Sequence, residues 1–230
     1  VQIPYTGVGE NDEDCRKIHY FVEKGKKVAI VNVCEHEYSY ALEDREGTNA
    51  YDPNLTMQDI RLAKRNADFV VVLYHGGKEH CRYPSPRLRN LCREMVLNGA
   101  CVVLTQHSHC IGCYEEFEGG HILYGQGNFH FVSDDSGDGW ENRGLMVMLD
   151  INEKCDISFI PDVTTDTGIE KASPAETAEI LKGLEERSNE LKTNVWREKW
   201  HEYCLSVTDL YEGSVKNVYR EDENANFRQV

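Results

Sequence analysis

Three histidines, His75, His107 and His109, are the residues whose placement points most directly to chemistry. His75 follows the apolar run FVVVLY and opens onto Gly76-Gly77, while His107 and His109 follow the run CVVL through Thr105-Gln106. A neutral imidazole nitrogen is a common ligand for borderline metals. The alternation in His107-Ser108-His109 puts both rings on one side if the segment is extended. With oxygen co-ligands such a set suits a divalent Mn, Fe, Co or Zn ion, which activates water and polarises a phosphoryl oxygen. Glu79, four residues past His75, is expected to orient a ligand or relay a proton. Asn128, in the run GQGNF, either aims its amide into the same cleft or caps a turn. Glu35, His36 and His80 lie within reach of that pocket and read more simply as loop residues. Cys110-Ile111-Gly112-Cys113 adds a rival, since a C-x2-C pair beside two histidines has the donor types of structural zinc. No second cysteine pair sits at finger spacing. No G-x-S-x-G elbow, H-E-x-x-H helix or Walker A run occurs, which sets aside serine hydrolases, zincins and P-loop enzymes.

These side chains need a scaffold. Residues 69–74 have the Val, Leu and aromatic content of a strand buried on both faces. Ser85-Pro86 then offers an N-cap with proline at the first helical position. Leu88, Leu91, Cys92, Met95 and Val96 follow at helical spacing, Asn98-Gly99 supplies the stop, and residues 101–104 form a second apolar strand. This strand–helix–strand spacing is a βαβ unit, with parallel strands and a right-handed crossover. The carboxyl ends then share one rim of the sheet, where open α/β folds bind ligands. Upstream, residues 20–23 and 27–33 read as strands joined at Lys24-Gly25, the second ending in Cys34-Glu35-His36. A short helix is expected at residues 12–18, a polar loop at 39–56 and a helix at 57–66. Downstream, residues 112–117 with 121–124, and 145–151 with 156–161, read as hairpins flanking a glycine- and aspartate-rich loop at 134–142. Ser173-Pro174-Ala175-Glu176 is a capping box that starts a helix carrying Ile180, Leu181, Leu184 and Leu191. A second helix, from about residue 195, carries Trp196, Trp200, Tyr203 and Cys204.

The 230 residues hold 40 acidic and 25 basic side chains, a net charge of −15, which argues against nucleic acid as a partner. Arg82, Arg87, Arg89 and Arg93 read as the solvated face of a helix, with contact to an anionic substrate as the alternative. No apolar run approaches the roughly 20 residues of a membrane span. GVGEN lacks the third glycine and the preceding strand of a dinucleotide fingerprint. The nine cysteines are odd in number and several sit in apolar patterns, so free thiols and a reducing, cytoplasmic compartment are favoured. The chain opens on Val1 rather than methionine, and an upstream segment would instead allow a membrane-anchored or extracytoplasmic protein.

The series His75-Gly76-Gly77-Lys78-Glu79, Thr105-Gln106-His107-Ser108-His109 and Gly125-Gln126-Gly127-Asn128-Phe129 follows an opening IPYTGVGEND that contains Gly7, Gly9 and Glu10. As an ordered set it resembles the capsule-biosynthesis CapA family, linked to poly-γ-glutamate synthesis, within the calcineurin-like metallophosphoesterase superfamily. Family members show H-W-G-x-E, G-H-H-P-H and S-L-G-N-F in that order. Gly76 stands here in place of the tryptophan, and Thr105-Gln106 in place of Gly-His. The resemblance covers about residues 3–150. It implies an α/β fold, the four-layer α/β/β/α metallophosphatase-like sandwich. Residues 1–165 would be the second half of that domain and 166–230 a helical appendage packed on it. It also implies a metal-dependent phosphoric ester hydrolase site, with His75, His107 and His109 as metal ligands and Glu79 and Asn128 in support. The family's amino-terminal half, which would carry the first-strand aspartate and the N-N-H motif, is expected to be missing from this chain. No bridging carboxylate is evident, so a weak or empty divalent-metal site is expected here. Two functions follow: a phosphoesterase-type capsule protein acting on a phosphoester or anionic polymer, or a non-catalytic polymer-binding or assembly module that keeps the fold without a working centre.

Overall fold

Alternating side chains of the central strands bury two separate faces. Ala29, Val31 and Val33, then Val70, Val72 and Tyr74, face one core, while Val28, Phe69, Val71, Val102 and Leu104 face the other. This period-two division makes the strands read as continuous apolar runs. The computed structural model describes residues 3–35, 39–130, 142–165 and 167–218. The chain runs β1 (Val8–Gly9), β2 (His19–Glu23), β3 (Lys26–Cys34), β4 (Gly47–Thr48), α1 (Pro53–Asn66), β5 (Phe69–His75), α2 (Pro86–Leu97) and β6 (Val102–Gln106). It continues through β7 (Ile111–Phe117), β8 (Gly120–Gln126), β9 (Arg143–Ile151), β10 (Cys155–Thr165) and β11 (Gly168–Lys171). Three helices close it: α3 (Pro174–Glu190), α4 (Val195–Ser206) and α5 (Thr208–Val218).

The main sheet has six strands in the order β2-β3-β5-β6-β8-β7. Its four inner strands pair in parallel, and β2 and β7 are antiparallel edges. Helices α1 and α2 cover one face, with Ile60, Ala63, Leu91, Cys92 and Met95 in that core. The other face meets the antiparallel sheet β9-β10-β11 and α3, through Leu145, Ile151, Ile180 and Leu184. The fold is therefore mixed α/β around a central mixed sheet, and the βαβ unit β5-α2-β6 lies at its middle. Ser85 Oγ accepts from Leu88 N–H at 3.0 Å as the cap of α2. Gly99 takes a φ of +120° just beyond that helix, a conformation open to glycine at little cost.

Several expected elements differ. Residues 12–16 form turns rather than a helix: Asn11 Oδ1 accepts from the N–H groups of Glu13 (3.1 Å) and Asp14 (2.8 Å) as a cap would, but the chain enters β2 at His19 before further helical turns can add. Helix α1 begins at Pro53 instead of residue 57, since Asp52 caps it by accepting from Asn54 and Leu55 N–H, each at 2.8 Å. Gly47–Thr48, inside the expected polar loop, pairs with Val8–Gly9. The second sheet runs past the 165/166 boundary, because Gly168–Lys171 pairs with β10. The helices beyond it join both cores through Ile180, Leu184, Leu191 and Trp196. Residues 131–141, most of the expected glycine- and aspartate-rich loop, lie outside the described residues, as does His36. No cysteine is in a disulfide, and no described helix is long and apolar enough to cross a membrane.

Candidate metal centre

Strands β3, β5 and β6 end level with one another: Cys34 pairs with His75, and His75 with Gln106. Two further hydrogen bonds extend this rim, from Glu35 N–H to His75 O at 2.7 Å and from Gly76 N–H to Gln106 O at 3.0 Å. The sheet thus delivers His75 and the start of the His107-Ser108-His109 segment to one edge. That segment is not extended. His107 has φ +94° and His109 +55°, and His80 opposite has +57°. Left-handed backbone in non-glycine residues costs on the order of 1 kcal/mol each and persists only where surroundings fix it. Here His80 N–H donates to Ser108 O at 2.8 Å, and the buried Ser108 Oγ donates to Cys110 O at 3.0 Å. Gly125 presses on the turn from the far side, where a Cβ would lie 2.6 Å from both Cys110 O and Ser108 Oγ. A tight turn, rather than strand alternation, brings the two rings onto one cleft.

The ring centroids of His75 and His107 are 5.1 Å apart, those of His107 and His109 6.1 Å, and those of His80 and His109 6.1 Å. Glu79 Oε1 lies 3.9 Å from His107 Nε2. One donor atom each from Glu79, His107 and His109 fall within 4.8 Å of one another, and no other such group occurs among the described residues. His75 stands beside this trio, against His107, and with His107 and His109 lines a cleft of about 370 Å³, whereas Glu79 opens onto the neighbouring pocket beside His80 and Tyr203. His109 Nδ1 is 2.9 Å from the carbonyl Oδ1 of Asn128. With the amide so oriented, the neutral ring carries its proton on Nδ1 and directs the Nε2 lone pair elsewhere. The buried Asn128 is held by its N–H donating to Arg143 O at 3.1 Å, next to Gly127 at φ +77°.

The sequence reading did not single out Gln126, which closes the floor of the cleft. Gln106 Nε2 donates to Gln126 Oε1 at 2.9 Å, and Gln126 Nε2 to Leu145 O at 3.3 Å. Its signal was its place at the end of an apolar strand, two residues before Asn128. Glu35 turns away from the histidines: it accepts from Gly77 N–H at 3.0 Å and faces Arg87 at 3.8 Å. A Cβ on Gly76 would meet Glu35 Cβ at 2.6 Å, so a tryptophan there is incompatible with this arrangement. The C-x2-C thiols are both buried, and Cys113 Sγ donates to Arg82 O at 3.3 Å. Burial pushes the Cys113 thiol up to about 12, and neither cysteine enters the metal-donor group.

Residues 1–133 match the profile of the bacterial capsule synthesis protein family PGA_cap. The chain belongs to that family. A capsule biosynthesis protein CapA of Bacillus anthracis is 29% identical over 185 residues, covering 78% of this chain and 44% of that protein. A PGA biosynthesis protein CapA of Bacillus subtilis is 36% identical over 129 residues, 55% of this chain and 34% of that protein. The chain thus spans less than half the length of these curated relatives. A solved structure of a hypothetical protein from Thermus thermophilus superposes with a TM-score of 0.41 at 16% identity, over 63% of this chain and 60% of that one. The PGA_cap match ends just past Asn128, so all three histidine-cleft motifs lie inside it. Membership bears out the CapA resemblance and the metallophosphatase-like α/β fold.

Proposed function

We propose that this PGA_cap chain contributes a divalent-metal site to a capsule-biosynthesis protein, and that the site handles a phosphoester or an anionic polymer such as poly-γ-glutamate. The supporting observation is the convergence of Glu79, His107 and His109 within 4.8 Å at the carboxyl rim of parallel strands. The donor set suits the ion: two imidazoles and one carboxylate match Mn, Fe, Co or Zn, with His75 alongside. A bound ion would supply Lewis acidity, activating a water and polarising a phosphoryl oxygen. Asn128 fixes the His109 tautomer, as outer-shell carbonyls do for metal-ligating histidines. Glu79, whose side chain is about half exposed (54%), faces His107 from the neighbouring pocket and can accept a proton in its carboxylate form. Gln106 and Gln126 present amide dipoles to a ligand without adding charge. In a chain of net charge −15 the ion would also give an anion a local reason to approach.

A second reading, an assembly or polymer-binding module without catalysis, is favoured by the single carboxylate in the donor group, since a dinuclear centre calls for a bridging one. One experiment separates the two. The protein is loaded with Mn or Zn, its tightly held metal is counted, and hydrolysis of a simple phosphodiester is followed for the native chain and His107→Ala. Bound metal and hydrolysis lost together in the variant support the enzyme. Metal-free protein that still retains an anionic polymer supports the module and sinks the catalytic reading.

A further inference from the structure

Arg187 is a guanidinium drawn largely out of water without an acid to meet it. From α3 its Nε–H donates to Gly112 O in β7 at 2.9 Å. No carboxylate among the described residues pairs with it, whereas Arg89 and Arg93 share Glu115, and Arg143 holds Glu179 at 2.8 Å. Burial lowers the Arg187 pKa, and the neighbouring Arg82 charge acts in the same direction. Drawing a cation out of water is unfavourable unless an anion meets it. Arg187 and Arg82 open, with Arg143 and Lys182, onto a cavity of about 310 Å³. The two carboxylates that line it, Glu179 and Glu186, are mostly exposed and are already engaged by Arg143 and Lys182. Gly183, which also lines the cavity, lets the guanidinium lie close over α3: a Cβ there would sit 3.0 Å from Arg187 Nη1. Glycine inside a helix costs about 1 kcal/mol relative to alanine, so this close approach comes at some expense to α3.

We propose that this cavity binds an oxyanion group, a phosphate or a carboxylate, with the outward Nη donors of Arg187 as its central contact. A guanidinium whose Nε is already used presents its two Nη groups as a fixed fork, which matches the oxygen spacing of either anion. The site is separate from the histidine cleft and does not rest on the metal reading. The two cavities adjoin across the Gly127-Asn128 loop, where Asn128 N–H donates to Arg143 O.

The test is calorimetric titration of the metal-free full chain, at constant ionic strength, with inorganic phosphate in one arm and glutarate in the other. Saturable binding of either is expected, and the stronger arm identifies the source of the oxyanion. Arg187→Gln should weaken that binding about tenfold or more, as loss of a charge-assisted contact does. Gly183→Leu should weaken it comparably by filling the space while keeping every charge, and it decides the matter if Arg187→Gln fails to fold. His107→Ala should bind as the native chain does, which separates this site from the cleft. No saturable binding in either arm, or undiminished binding in the folded variants, overturns the proposal.

Discussion

Asp162 shows how a single residue sets a pH dependence. It is fully buried on β10, and neither carboxylate oxygen has a hydrogen-bond partner among the described residues. Burial raises its pKa to about 6; the Met146 backbone opposes this without reaching hydrogen-bond geometry. The folded state therefore binds the proton more tightly than the unfolded chain, whose group titrates near 3.8. Stability associated with the neutral acid is present below that value and is lost as pH rises towards about 6. Asp162→Asn should stabilise the protein at pH 8 by roughly 2 kcal/mol and have little effect at pH 4. Urea denaturation at the two pH values measures this, and an equal effect at both would refute it. Asp162 was not legible in the sequence, because its burial depends on Gly144 opposite, where a Cβ would lie 2.8 Å from Oδ1. The histidines were legible, since apolar runs end at them. Their left-handed turn was not, because it is imposed by Ser108, Gly125 and His80 from three separate segments.

Whole elements could be read wherever a local signal and a packing pattern agreed. Helix α2 has Ser85, Pro86, an apolar stripe and Gly99 in sequence, and all five stripe residues are buried. The capping box of α3 is present in full: Ser173 Oγ accepts from Glu176 N–H at 3.3 Å, and Glu176 Oε2 accepts from Ser173 N–H at 3.0 Å. The start of α1 was hidden because Asp52-Pro53 sits in a polar stretch whose apolar periodicity begins only at Met57. Strand β11 was hidden because the four residues GIEK are too few to show a period, and only pairing with β10 defines them. Ser173→Ala removes the Oγ half of the box and leaves the backbone N–H bond to Glu176 Oε2 in place. It should lower stability by about 1 kcal/mol with unchanged denaturant sensitivity, since the helix end frays while α3 remains docked through Ile180 and Leu184. A loss several times larger would mean that Ser173 does more than cap.

At the scale of the molecule, a net charge of −15 makes any added cation stabilising by screening alone, and a metal site must be told apart from that background. The two effects differ in shape. Screening grows gradually with ionic strength and is indifferent to a single imidazole. Binding at the histidine cleft saturates, and at a free-ion concentration one hundred times the dissociation constant contributes about 2.7 kcal/mol. For a chain of this length that corresponds to a rise in melting temperature of roughly 5–10 °C. Manganese titrated against sodium chloride of matched ionic strength should show the saturating rise in the native protein, reversed by a chelator. In His107→Ala only the gradual component should remain, because that ring is common to the closest contacts with Glu79, His75 and His109. Equal shifts in both proteins would assign all of the stabilisation to screening, and the convergence at the strand tips would then be a product of the fold's geometry rather than a centre that holds an ion.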